Sequence, residues 1–145
     1  MSLKDPTQKM SKSDIDQRSR ILLTDSPEDI HRKIKLALTD SETVISYDPI
    51  RRPGVSNLIE ILSHIDSDKR SCDELAKEFE TIGIKALKEH VSKTLSNYLR
   101  DIRERYFDIM GMTASYLDRV ADIGAQKARA NADITMQSVK SALGL

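Results

Sequence analysis

The chain reads as a mainly α protein built as a helical bundle, and three observations carry that expectation. Glycine and proline together fill nine positions (5 Gly and 4 Pro) of 145, while hydrophobic residues make up 39% and charged residues 32%. That balance suits helices with one buried and one wet face. Apolar residues also recur at three- and four-residue spacing through most of the sequence beyond residue 26, and several of those stretches start at capping residues and stop at glycine.

The first helix is expected in TDSPEDIHRKIKLALTDS. Ser26 stands as its N-cap, Pro27 at its first position, and Glu28 and Asp29 in the first turn, where the positive end of the helix dipole favours them. Ile30, Ile34, Ala37 and Leu38 line its apolar face. RILL at residues 20–23 and TVISYD at 43–48 are two short strand candidates, and Asp48-Pro49 and Pro53-Gly54 look like turns. Val55, Leu58, Ile59, Leu62 and Ile65 then repeat with helical period. Ser71 and Glu74 form a capping box ahead of Leu75, Phe79 and Ile82, and Gly83 closes that helix. Ile84, Leu87, Val91, Leu95, Tyr98, Ile102, Tyr106 and Ile109 keep one stripe, which predicts a long helix over about 84–110. After Gly111, Met112 and Thr113 a second long helix is expected over about 114–143, carrying Leu117, Val120, Gly124, Ala128, Ala132, Thr135, Val139 and Leu143. Its small middle would let a partner helix approach closely, and Gly144 ends it. The two long helices are expected to carry most of the core.

Charge and cysteine usage bound the function classes. Lys plus Arg and Asp plus Glu number 23 each, so global charge makes no case for nucleic acid or membrane, and any basic surface must be local. The single Cys72 excludes an internal disulfide and fits a reducing compartment. No apolar run approaches a membrane span, and the N-terminus has no signal-peptide core. His31, His64 and His90 are far apart, with no cysteine or second histidine at ligand spacing, so no metal site is expected.

The opening stretch KDPTQKMSKSD, residues 4–14, holds three lysines and two serines with no apolar face. By composition it is a solvated, flexible terminus without an anchor. The sharper alternative is a polyphosphate clamp: lysine is a compact charge on a flexible stem, and small serines leave the backbone open to a phosphate. It lacks the glycine frame of a P-loop. Basic residues also gather later, with Arg100, Arg103 and Arg105 in YLRDIRERY and Lys127 and Arg129 in QKARAN on the polar side of the last helix. Asp101, Glu104 and Asp108 interleave with the arginines, which is also the pattern of charge pairing on a wet helix face.

KMSKS at residues 9–13 resembles the signature loop of class I aminoacyl-tRNA synthetases, letter for letter. The ordered set RILLTDSPEDI, YDP, RPGVSNL, YLDRVADIGAQKARA and the terminal ALGL is similar to tryptophanyl-tRNA synthetases of the bacterial and mitochondrial type, over the whole chain. Ile15, where that family often has Pro or Glu, and the stretch DSDKRSCDELAKEF are departures.

The resemblance implies a C-terminal portion of such an enzyme. Residues 1–25 would end a Rossmann-type catalytic domain whose N-terminal half, with its HIGH-like motif and tryptophan pocket, is absent; 26–145 would be the helical anticodon-binding domain. It implies attack of the tryptophan carboxylate on the α-phosphate of ATP, with Lys9 and Lys12 stabilising the charge that builds on the phosphates. Ser11 and Ser13 would hydrogen-bond phosphate, and Met10 would anchor the loop. ATP with Mg2+, L-tryptophan and tRNA(Trp) are the implied substrates and partners, with Arg100, Arg103, Lys127 and Arg129 as candidate tRNA contacts and no protein-bound metal. A homodimer through the absent half is implied, and the mitochondrial matrix is favoured over a bacterial cytoplasm because RRPGVSNL leans towards fungal mitochondrial forms. A fragment of this kind is expected to be inactive alone. The alternatives are a non-catalytic helical module that binds RNA or protein, and a phosphate-binding regulatory fragment that keeps only the loop.

Overall fold

Serine caps set the starts of two helices in the computed structural model, which describes residues 1–112 and 114–145. Ser26 accepts the Asp29 N–H at 3.0 Å and opens α1, Pro27–Lys35. Ser71 and Glu74 cap each other reciprocally and open α3, Cys72–Phe79. Between them α2 spans Pro53–Ile65, and after Gly83, at φ +90°, α4 runs Ile84–Gly111. The last helix, α5, is Ala114–Leu143, closed by Gly144 at φ +75°. Thr113, which the sequence reading puts in the break before α5, lies outside the described residues.

The chain forms two units, Met1–Arg105 and Tyr106–Leu145. The first has a continuous apolar core. Ile30 and Ile34 of α1, Val55, Leu58, Ile59 and Leu62 of α2, Leu75 and Phe79 of α3, and Leu87, Val91, Leu95 and Leu99 of α4 meet there, joined by Leu3 and Ile45 from extended segments. Around that core, Asp66 takes a bidentate contact from Arg70, with Nε and Nη2 at 2.9 and 2.6 Å, which pulls the carboxyl down to about 2. Tyr47 donates its hydroxyl to Glu60 at 3.1 Å, and this bond pushes the phenol up to about 12.

Several expectations are corrected. No strand occurs among the described residues, so 20–23 and 43–48 are not paired. Ile45 is buried as an isolated extended residue, its N–H bonded to the Glu80 carbonyl at 3.3 Å, so one apolar residue fills the core without a ladder. Leu38 and Ile82 are more than half exposed, because α1 ends at Lys35 and α3 at Phe79, before either residue is aimed inward. The α4 stripe is buried only as far as Leu99, and Tyr98, Ile102, Tyr106 and Ile109 are exposed.

In the second unit every described side chain is exposed, including Leu117, Val120, Ile123, Val139 and Leu143 of α5. A Cβ at Gly124 would meet nothing within 4 Å. The long helices therefore do not carry most of the core, and the small residues in the middle of α5 are exposed. Periodicity reports which face is apolar and is silent on what covers it. Amide exchange checks this directly: 58–62 and 87–99 should be strongly protected and 114–143 should exchange several orders of magnitude faster, because an uncovered helix opens locally at little cost. Equal protection in α5 would contradict it.

Candidate functional site

The opening loop is braced at both ends by carboxylates. Asp5 accepts the Thr7 hydroxyl at 2.6 Å, the Thr7 N–H at 3.1 Å and the Gln8 amide at 2.7 Å, and these bonds, the hydroxyl first, hold its carboxyl below the usual range. Ser2 donates its N–H to the Gln8 carbonyl at 2.9 Å, closing the first turn. At the far end Asp16 caps a single 3-10 turn, Gln17–Ser19. It takes Nε and Nη2 of Arg18 at 2.9 Å each and the Arg18 N–H at 2.9 Å, which keep it ionised far below the ordinary carboxylate range. Arg20 reaches back to the Asp14 carbonyl at 2.7 Å.

The base of the loop is tied to the core. Leu3 is 1% exposed; its N–H meets the Ser19 carbonyl at 2.9 Å and its carbonyl takes the Leu38 N–H at 2.8 Å. Asn57 of α2 accepts from the Met1 backbone nitrogen at 2.9 Å and donates to the carbonyls of Met1 and Ser2 at 3.3 Å each. Pro6 is buried, and Met10 packs against the core cluster. The expectation of a loop without an anchor is thus corrected: single apolar residues at Leu3, Pro6 and Met10 pin it, a pattern too sparse to register as an apolar face.

This frame separates the three lysines. Lys4 lies 3.7 Å from the Asp16 carboxylate and serves the brace. Lys9 and Lys12 are exposed, and neither takes part in an ion pair among the described residues. Ser11 and Ser13, on either side of Lys12, face each other at 3.1 Å across their hydroxyls, and a turn bond of 3.4 Å from the Asp14 N–H to the Ser11 carbonyl holds the curve. Two free ammonium groups three residues apart, beside a hydroxyl pair, can meet successive phosphates of a polyphosphate chain. Asp16 and Asp5, which fix the curve, were missed by the sequence reading; an Asp two residues before the residue it caps is the signal that marks each.

The later basic residues divide differently. Arg100 donates to its neighbour Asp101 at 3.1 Å on an exposed face of α4. Arg103 gives Nη1 to the Asp25 carbonyl at 3.2 Å, and the buried Asp25 carboxylate pairs with Lys33 at 2.5 Å and accepts the Leu22 N–H at 2.9 Å. Arg103 therefore ties the start of α1 to α4 with one of its five donors. Lys127 and Arg129 are exposed on α5, but two positions on a helix are about 200° apart. Arg129 falls on the side of Asp122, Asp133 and Lys140, whereas Lys127 flanks the apolar stripe, which corrects the expectation that both share the polar side. His31 meets Ser92 at 3.1 Å and His90 tilts against Phe79 with centroids 5.2 Å apart, so both serve packing. Among the described residues no helix is long and apolar enough to cross a membrane.

Comparisons with known proteins bear on this loop and its scaffold. Residues 1–100 match the family described as tRNA synthetases class I (W and Y). The chain is 37% identical over 145 residues to a tryptophan–tRNA ligase of Bacillus subtilis (strain 168) and 38% identical over 144 residues to one of Rickettsia conorii, and it spans 43% of the length of each. It also aligns over its full length with 44% of a crystallised tryptophanyl-tRNA synthetase from Mycoplasma pneumoniae, at TM-score 0.74 and 28% identity. With the family matched across more than half of its residues, the chain belongs to the class I tRNA synthetases of the W and Y family, and its relatives are the tryptophanyl members.

Proposed function

We propose that the chain is the C-terminal portion of a tryptophan–tRNA ligase, with residues 1–25 closing its catalytic domain and 26–145 forming its helical anticodon-binding part. The observation that carries this reading is the pair Lys9 and Lys12, held without ion-pair partners on a curve fixed by Asp5 and Asp16. In the complete enzyme the tryptophan carboxylate attacks the α-phosphate of ATP and pyrophosphate leaves. Negative charge grows on the bridging and leaving oxygens. Lys9 and Lys12 meet it as electrostatic stabilisers, with no proton to move. Ser11 and Ser13 donate hydroxyl or backbone hydrogen bonds to the phosphates, and Met10, packed inward, sets how far the loop can travel.

Mg2+ comes with ATP as part of the substrate. L-Tryptophan binds to residues outside this chain, and the complete enzyme pairs as a homodimer through them. On the helical part, Arg100, Lys127, Arg129 and the remaining donors of Arg103 are candidate contacts to tRNA(Trp). A mitochondrial setting rests on RRPGVSNL alone, since the relatives compared above are bacterial. The purified 145-residue chain should show no tryptophan-dependent ATP–pyrophosphate exchange, because on this reading the tryptophan pocket belongs to the part of the enzyme outside it. Turnover by the isolated chain would overturn this reading.

A further inference from the structure

On a chain with 23 basic and 23 acidic side chains, charge is unevenly matched. Lys35 of α1 and Lys85, Lys88 and Lys93 of α4 gather along one trough between the two helices. None of the four takes part in an ion pair among the described residues. Glu89 is the one carboxylate that lines it. The trough has two hollows that share His31 and Glu89. One, of about 290 Å³, is walled by Ile84 and the stems of Lys35, Lys85 and Lys88; the other, of about 280 Å³, continues past Ser92, Lys93, Ser96 and Asn97.

The walls are fixed. Lys88 donates to the Ala37 carbonyl at 2.8 Å and the Lys35 carbonyl at 3.3 Å, the open end of α1, and His31 meets Ser92 across the gap at 3.1 Å. Donors recur along α4 at Lys85, Lys88, Lys93, Ser96 and Asn97, over about 18 Å, while the Ser92 hydroxyl is spent on the Glu89 carbonyl at 2.9 Å. A compact anion would occupy one turn. A chain of phosphates would use the whole row, and lysine suits phosphate as a point charge. The hollow beside Ile84 adds an apolar seat for a flat ring, which an acidic peptide would leave empty.

We infer that the trough between α1 and α4 holds the sugar–phosphate backbone of an RNA strand, with Lys35, Lys85 and Lys93 contacting phosphates and the hollow over Ile84 seating one nucleoside. The inference rests on the reading that tRNA is a partner of this chain, and it assigns the principal backbone contacts to Lys35, Lys85 and Lys93, with Arg100 two turns beyond Lys93 on the same face of α4.

The test is fluorescence anisotropy of labelled tRNA(Trp) transcript with the 145-residue chain over a salt series. Lys85→Glu with Lys93→Glu should weaken binding at least about ten-fold at low salt and lower the slope of log affinity against log salt by about two, since each phosphate contact releases about one counterion. Lys85→Gln with Lys93→Gln should give a smaller loss of the same kind, and circular dichroism should be unchanged because both side chains are exposed. Lys88 is left in place because it caps α1. Affinity and slope unaltered by the reversal, with wild-type binding intact, would overturn the trough and leave the tRNA reading standing. No binding by the wild-type chain at low salt would overturn both. Polyglutamate that displaces the RNA at equal charge concentration would overturn the nucleic-acid assignment in favour of an acidic protein.

Discussion

Gly54→Ala should destabilise the first unit by about 3 kcal/mol, the upper part of the range for forcing atoms into a packed site. A Cβ there would lie 2.2 Å from the Leu38 carbonyl oxygen, 3.0 Å from its carbon and 3.1 Å from the Thr39 Cα, all backbone. That backbone cannot give way. The Leu38 N–H is bonded to the Leu3 carbonyl at 2.8 Å, and Arg52, 4% exposed, grips Asp40 through Nε and Nη2 at 3.0 and 2.7 Å. At about 4 °C or more per kcal/mol for a domain near 100 residues, Tm should fall by at least about 12 °C. Gly124→Ala is the control: with open space around it in mid-helix, alanine should leave stability unchanged or raise it by up to about 1 kcal/mol. A Gly54→Ala protein with wild-type Tm would contradict the close approach of α2 to residues 38–39. Because Leu38 also ties down Leu3, the same variant should loosen the base of the opening loop.

Lys12→Ala in the complete enzyme should slow adenylate formation by about 100- to 1,000-fold, the cost of removing one preorganised charge aimed at a transition state. The KM for tryptophan should stay within about two-fold of wild type, since the interaction forms only as charge develops on the phosphates. Pre-steady-state formation of the adenylate reads the first quantity, and exchange kinetics against tryptophan read the second. Lys4→Ala is the comparison. Lys4 lies against Asp16 and serves the brace, so its loss should cost far less. A Lys12 effect confined to tryptophan KM, with the rate intact, would return KMSKS to a solvated surface loop.

Local chemistry was the legible part of the fold. Ser26, the Ser71–Glu74 box and Gly144 sit where capping rules put them, because a cap satisfies backbone groups within a few residues of itself. Gly83, expected to close α3, instead stands four residues past its end at Phe79, in the turn that leads into α4. Long-range partners were not legible. Ile45 enters the core alone, with no strand pattern to mark its depth. Tyr98 and Ile102 of α4, and Leu117, Val120, Ile123, Val139 and Leu143 of α5, stand in regular apolar stripes and are exposed. At the site, the KMSKS residues stood out by their order in the sequence, yet nothing there distinguished Lys4 from Lys9 and Lys12. That separation needs Asp16, twelve residues from Lys4 and brought close only by the turn. The lysine trough was hidden for the same reason, since Lys35 and Lys88 are 53 positions apart and joined through a carbonyl.

The most direct test of the central claim is tryptophan-dependent ATP–pyrophosphate exchange in a chimera. In it, residues 1–145 of this chain replace the aligned 43% of the Bacillus subtilis tryptophan–tRNA ligase. A folded chimera should catalyse exchange well above background, and Lys9→Ala with Lys12→Ala should abolish it. A folded chimera with no exchange, or one whose exchange survives the loss of both lysines, would contradict the claim that this loop stabilises charge on ATP.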